Sequence, residues 1–195
     1  MRRHLPFLVL LASCLPAMAH PAAYHAMNAS EAAHAGFLHP LTGLDHLLVM
    51  VAVGLWAVRL GGRALWMLPC AFVLPMILGG VAGIGSAPQP IIEHGIATSL
   101  LLLGAALGMA WKPSLPVALG AVALFGACHG FAHGSEMPPG SIPLIFLAGM
   151  AVATSLLHAG GVAAGLSFQG GRPEPAFRIA GLILIIFSVI TIVAG

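Results

Sequence analysis

Six apolar stretches of roughly bilayer-spanning length, broken by glycine and proline, leave this chain few ways to fold. They run approximately Leu41–Leu60, Ala64–Ile84, Ile91–Trp111, Leu115–His133, Ile142–Leu166 and Ala176–Ala194. Gly61-Gly62, Ala87-Pro88-Gln89-Pro90, Pro113, Pro138-Pro139-Gly140 and Gly170-Gly171-Arg172-Pro173 punctuate them as turns. Pro69 and Pro75 fall inside the second stretch and are expected to kink it. Charged residues make up 6% of the chain, against about 25% in soluble domains, so the composition is that of an integral membrane protein. The formal net charge of +2 therefore carries no message about nucleic acid, and none is expected as a partner. The expected fold class is all-α: a polytopic membrane helical bundle of about six transmembrane helices behind a cleaved N-terminal signal peptide.

The start, Met1-Arg2-Arg3-His4 followed by Leu5 to Ala12, has the basic and apolar regions of a secretory signal. Ala17-Met18-Ala19 supplies a small-x-small cleavage pattern, which would leave His20 as the mature N-terminus. Leu11-Ala12-Ser13-Cys14 also matches a bacterial lipobox, and a retained anchor helix is the third reading. The expected division is a signal peptide at 1–19, an extracytoplasmic histidine-containing segment at 20–40 and a six-helix transmembrane domain at 41–195. Cys70 and Cys128 lie in apolar stretches, where free cysteine behaves as a small hydrophobe, and imply no disulfide.

Orientation follows from the cations. Arg59 and Arg63 flank the loop between the first two spans, Lys112 follows the third, and Arg172 and Arg178 bracket the start of the sixth. These residues share one side, which the positive-inside rule makes cytoplasmic. The mature N-terminus is then periplasmic, and the expected location is a bacterial inner membrane. Glycine pairs at four-residue spacing (Gly79/Gly83, Gly104/Gly108, Gly126/Gly130/Gly134, Gly161/Gly165) predict closely packed helices.

Against this background the ionisable residues are conspicuous, because each costs roughly 2.5 to 3.5 kcal/mol at a bilayer centre. Three of the five acids stand beside histidines: Asp45-His46, Glu93-His94 and His133-Gly134-Ser135-Glu136. All three groups fall at the expected outer ends of spans one, three and four. Imidazole and carboxylate together form a ligand set for a divalent transition metal. Pro40 suits a first helical turn, and on a continuing helix His39, His46 and Met50 would share one face with Asp45 one step round. His129 and His133 are four residues apart, so one helical face presents both rings, and the glycine stripe beside them would let a neighbouring helix share a ligand. The expected metal-site residues are His39, Asp45, His46, Glu93, His94, His129, His133 and Glu136. Met150, Thr154 and His158 form a stripe deeper in span five, read either as weak stepping sites or as ordinary packing. His20, His25, His34, Met27 and Glu31 lie in a segment that either collects metal or is a solvated tail.

The element His39-Pro40-Leu41-Thr42-Gly43-Leu44-Asp45-His46 and the later His129-Gly130-Phe131-Ala132-His133-Gly134-Ser135-Glu136, in a chain with this span pattern, resemble the HupE/UreJ family. The resemblance covers essentially the whole mature chain. It implies nickel or cobalt uptake for hydrogenase or urease maturation, with His39, Asp45 and His46 in the family's first signature, His129, His133 and Glu136 in its second, and Glu93 and His94 as the acid–histidine pair of the third span.

The expected function is thus a secondary permease or facilitator that imports a divalent transition metal, nickel before cobalt, from periplasm to cytoplasm. No phosphate loop for ATP is present in the sequence. No permanent cofactor is expected; Ni2+ or Co2+ is the cargo, the lipid bilayer the surroundings, and nickel metalloenzyme assembly the functional link. Two other classes stand beside it: an intramembrane metalloenzyme, although the His-Glu-x-x-His arrangement is missing, and a membrane metal-binding protein without flux.

Overall fold

The structure is a computed structural model and describes residues 26–168 and 173–194. The expected signal peptide, Cys14, His20, His25 and the turn at Gly170-Gly171-Arg172 lie outside the described residues. Among the described residues the regular elements are seven α-helices: α1 Ala29–Thr42, α2 Leu44–Leu60, α3 Ala64–Gly83, α4 Pro90–Gly108, α5 Leu115–Ser135, α6 Pro143–Phe168 and α7 Pro173–Ala194. Five are long and apolar enough to cross a membrane, and the bent pair α1 and α2 makes a sixth if taken as one span. Many large apolar side chains face outward, among them Leu78, Ile91, Leu144 and Val193, as lipid-facing residues of a multi-pass membrane protein do.

The first span differs from the sequence expectation. Pro40 sits in the last turn of α1, not the first turn of a spanning helix. Gly43 then adopts an extended conformation and the chain turns by 83° into α2. His39 and His46 therefore belong to different helices and share no helical face. The stretch before Pro40 is itself ordered from Asn28, whose side chain and Glu31 form a capping box at the start of α1. Helix α3 runs unbroken through Pro69 and Pro75.

Helices pair as α3 with α5, α1 and α2 with α6, and α4 with α7. Glycine permits the closest of these approaches. A Cβ on Gly126, Gly130 or Gly134 of α5 would overlap the backbone carbonyl of Phe72, Met76 or Gly80 on α3. The glycine stripe of α5 thus meets α3 backbone to backbone, and α3 brings Phe72 and Met76 close to the histidine face of α5 instead of another metal ligand. At the far end of α2, buried Arg59 donates to Glu174 of α7 at 2.6 Å and lies over the ring of Phe177.

Candidate metal site

Three helices deliver histidines to one place. The end of α1 supplies His39, the first turn of α2 supplies Asp45 and His46, and the last two turns of α5 supply His129 and His133, with Glu136 just beyond. The bend at Gly43 makes this convergence possible, because it carries the chain from the level of His39 into the bundle at His46. A Cβ at Gly43 would stand 2.9 Å from Nδ1 of His46 and 3.0 Å from Oδ1 of Asp45, so only glycine leaves that pair its room.

The imidazoles form a continuous group. His39 meets His133 with ring centroids 4.8 Å apart, His46 meets His133 at 4.4 Å, and His46 meets His129 at 5.1 Å. Nε2 of His39 lies 3.4 Å from Oε2 of Glu136. One donor atom from each of His39, His133 and Glu136 falls within 4.8 Å of the other two. First-row metals bind imidazole nitrogen and carboxylate oxygen at about 2.0 to 2.2 Å, so these side chains would close inward to share one ion. The hydrogen-bonding contact from His39 holds the Glu136 carboxyl below the ordinary glutamate range, keeping it anionic.

The hydrogen bonds fix which nitrogens remain free. Nδ1 of His129 donates to the carbonyl of Phe125 at 2.8 Å, and Nδ1 of His46 is paired with Oδ1 of Asp45 at 2.8 Å. In each ring that leaves Nε2 as the lone-pair nitrogen. Six buried side-chain nitrogen or oxygen atoms among the described residues lack a protein partner, and five of them are imidazole nitrogens: Nε2 of His46, His129 and His158, and both nitrogens of His133. An unpaired buried polar atom costs about 1 to 3 kcal/mol, so several gathered in one region are a costly arrangement for packing alone. Rings whose second nitrogen is anchored on a carbonyl or carboxylate are the form in which histidine ligates metals.

Of the eight residues expected from the sequence, six are brought together here: His39, Asp45, His46, His129, His133 and Glu136. Glu93 and His94 stand apart. Both are exposed in the first turn of α4, where His94 donates to the carbonyl of Pro90 at 2.6 Å. They line an open groove of about 360 Å3 between α4 and α7. Glu93 remains within electrostatic range of Glu136, His46 and Asp45, which places it at the rim of the cluster. His34 is exposed on α1. Sequence reasoning missed Phe72, whose ring lies between those of His129 and His158, at 5.5 and 5.1 Å, and Met76 one turn further along α3. An aromatic and a methionine in an apolar helix carry no signal that distinguishes them from lipid-facing neighbours.

Comparison with known proteins agrees with these signatures. A family profile described as "HupE / UreJ protein" matches residues 8–191. Protein HupE of Rhizobium leguminosarum bv. viciae is 40% identical over 172 residues, covering 88% of each chain. No solved structure matches the chain. With the profile spanning nearly the whole sequence and this relative aligned over most of its length, the chain belongs to the HupE/UreJ family.

Proposed function

We propose that the protein is a secondary permease or facilitator that imports a divalent transition metal across the bacterial inner membrane, nickel first and cobalt next. The observation that carries this reading is the convergence, on three helices, of four histidines and two carboxylates, with ring nitrogens of His46, His129 and His133 buried without a protein partner. Imidazole suits nickel, cobalt, copper and zinc, and two carboxylates offset the charge of a divalent ion in a partly dehydrated site. Glu136 and His39, the latter the most exposed of the four histidines, are placed for capture. His46, His129 and His133 are buried and are placed for the dehydrated state. Import fits the periplasmic placement of this end by the distribution of Arg59, Arg63 and Lys112. The family's association with nickel or cobalt uptake points to hydrogenase or urease maturation as the destination.

Metal accumulation in cells expressing the protein decides the reading, with nickel supplied at limiting concentration and cobalt, zinc and copper as competitors. Nickel accumulation that cobalt suppresses most strongly is the expected result. Tight binding by purified protein with no flux into sealed vesicles would instead indicate a metal-binding protein that does not transport.

A further inference from the structure

A second group of donors lies below the histidine cluster. His39 touches Phe146 of α6, at 5.5 Å between ring centroids. Met150, Thr154 and His158 follow Phe146 at four-residue intervals, so His158 lies about 18 Å further along α6, deep within a hydrocarbon layer about 30 Å thick. All three are buried, Met150 and Thr154 at 0% exposure and His158 at 1%. Two other helices meet this stripe. The Thr154 hydroxyl contacts Sδ of Met50 on α2 at 3.4 Å and Sδ of Met76 on α3 at 3.6 Å. Nδ1 of His158 donates to the backbone carbonyl of Met50 at 2.7 Å, while its Nε2 is buried without a partner.

This is the ring anchoring already seen at His129, repeated one helical turn beyond a hydroxyl that meets two thioethers. The two levels are linked. Met50 follows His46 by one turn on α2, and Phe72 separates the His129 and His158 rings. No carboxylate belongs to the inner group. Hard ions such as Mg2+ and Mn2+ select oxygen ligands, whereas thioether and imidazole take softer ions.

We propose that Met50, Met76, Thr154 and His158 form a second, uncharged thioether–imidazole site that receives a borderline transition-metal cation from the histidine–carboxylate cluster. The proposal rests on the transport reading of that outer cluster. The absence of a compensating charge makes the inner site the weaker of the two, as a site that must release its ion toward the far side requires. It also acts as a filter, since an ion unwilling to exchange water for sulfur does not occupy it.

Full-length protein labelled with selenomethionine, reconstituted in nanodiscs and titrated with Ni2+ alone, gives a direct readout by X-ray absorption at the nickel edge. The expected result is two bound equivalents, the weaker showing nickel–selenium scattering. Met50→Leu/Met76→Leu, a pair of volume-conserving changes, should lose that scattering and the weaker equivalent while keeping the tight one. Uptake by this variant should fall about tenfold, the low end of the effect of groups that support a metal site. Absence of nickel–selenium scattering in saturated wild-type protein, or its persistence in the double variant, overturns the inner site and leaves the outer one standing. If the double variant does not fold, the wild-type spectrum alone decides. Selenium scattering with Mn2+ in place of Ni2+ would overturn the filter. Unchanged tight binding in His133→Ala/Glu136→Gln tells against the outer cluster instead, a result visible separately from the selenium signal.

Discussion

His46 and Asp45 are neighbours in sequence and partners in space: Oδ1 of Asp45 accepts the backbone N–H of His46 at 2.9 Å and pairs with its ring Nδ1 at 2.8 Å. One carboxylate thereby orients the ring, selects its tautomer and leaves Nε2 buried toward His133 and His129. Asp45 is thus placed to serve His46 as the supporting acid of a histidine ligand serves the ring it holds.

Asp45→Asn tests that role. The amide oxygen can still accept from Nδ1, but the negative charge is gone. Ni2+ affinity of purified protein should fall about 10- to 100-fold, the usual effect of removing such a partner, with membrane abundance unchanged. Calorimetric titration at neutral pH reads it; wild-type affinity in this variant would remove Asp45 from the site.

Gly130→Ala should destabilise the protein, and Gly120→Ala should not. A Cβ at Gly130 would collide with the backbone carbonyl of Met76, whereas nothing lies within 4 Å of one at Gly120. Overpacking of this kind costs about 1 to 3 kcal/mol, and a backbone carbonyl cannot swing aside as a side chain can. Thermal unfolding in detergent and yield from membranes should both drop for Gly130→Ala. Equal behaviour of the two variants would mean that α3 and α5 are less closely packed than described.

The spans after the first were legible in the sequence because hydropathy and turn residues report the same boundaries: α3 begins at Ala64 and α5 at Leu115, as expected. The first span was not, since Pro40 is compatible with a helix start and with the last turn before a break. Gly43 settles it only through contacts made in the folded chain, where Asp45 and His46 occupy the room a Cβ would need. The gathering of His39 with His133 and Glu136 was anticipated from residue type. Its route, through a bend instead of a shared helical face, was not. The setting of His158 was hidden for the same reason: its partners Met50 and Phe72 are distant in sequence, and neither hydropathy nor spacing marks them.

Orientation is open to direct chemistry. In a Cys70→Ser/Cys128→Ser background, Arg63→Cys and Lys112→Cys should react with an impermeant maleimide only from the cytoplasmic side. Pro88→Cys and Pro139→Cys should react only from the periplasm, the side assigned to the Glu136 end of α5 by the positive-inside distribution. Labelling of Lys112→Cys from outside would invert the protein and turn the proposed import into export.

Acid should weaken binding through the imidazoles. A protonated ring has no lone pair, so affinity is retained above the imidazole pKa, about 6.5 when unperturbed, and declines as pH falls through the range where the free rings take up protons. Glu136 titrates below the ordinary glutamate range, so its charge persists while the histidines protonate. The decline should therefore persist in Glu136→Gln, at lower affinity throughout. Loss of the decline in that variant would assign the pH dependence to the carboxylate.

Glu136 and Glu31 offer the sharpest contrast, being two exposed glutamates in different settings. Glu136 touches His39 beside His133, where a bound cation would be partly dehydrated and its charge poorly screened. Glu31 is the third residue of α1 and closes a capping box with Asn28, a role that glutamine fills equally well. It is exposed at the helix start, where physiological salt screens charge over about 8 Å. Glu136→Gln should nearly abolish nickel uptake at low external metal, and Glu31→Gln should leave it close to wild type, when the two are compared at equal membrane abundance. Equal losses would show that negative charge anywhere on this face assists uptake, and normal flux in Glu136→Gln would remove its carboxylate from the transport site.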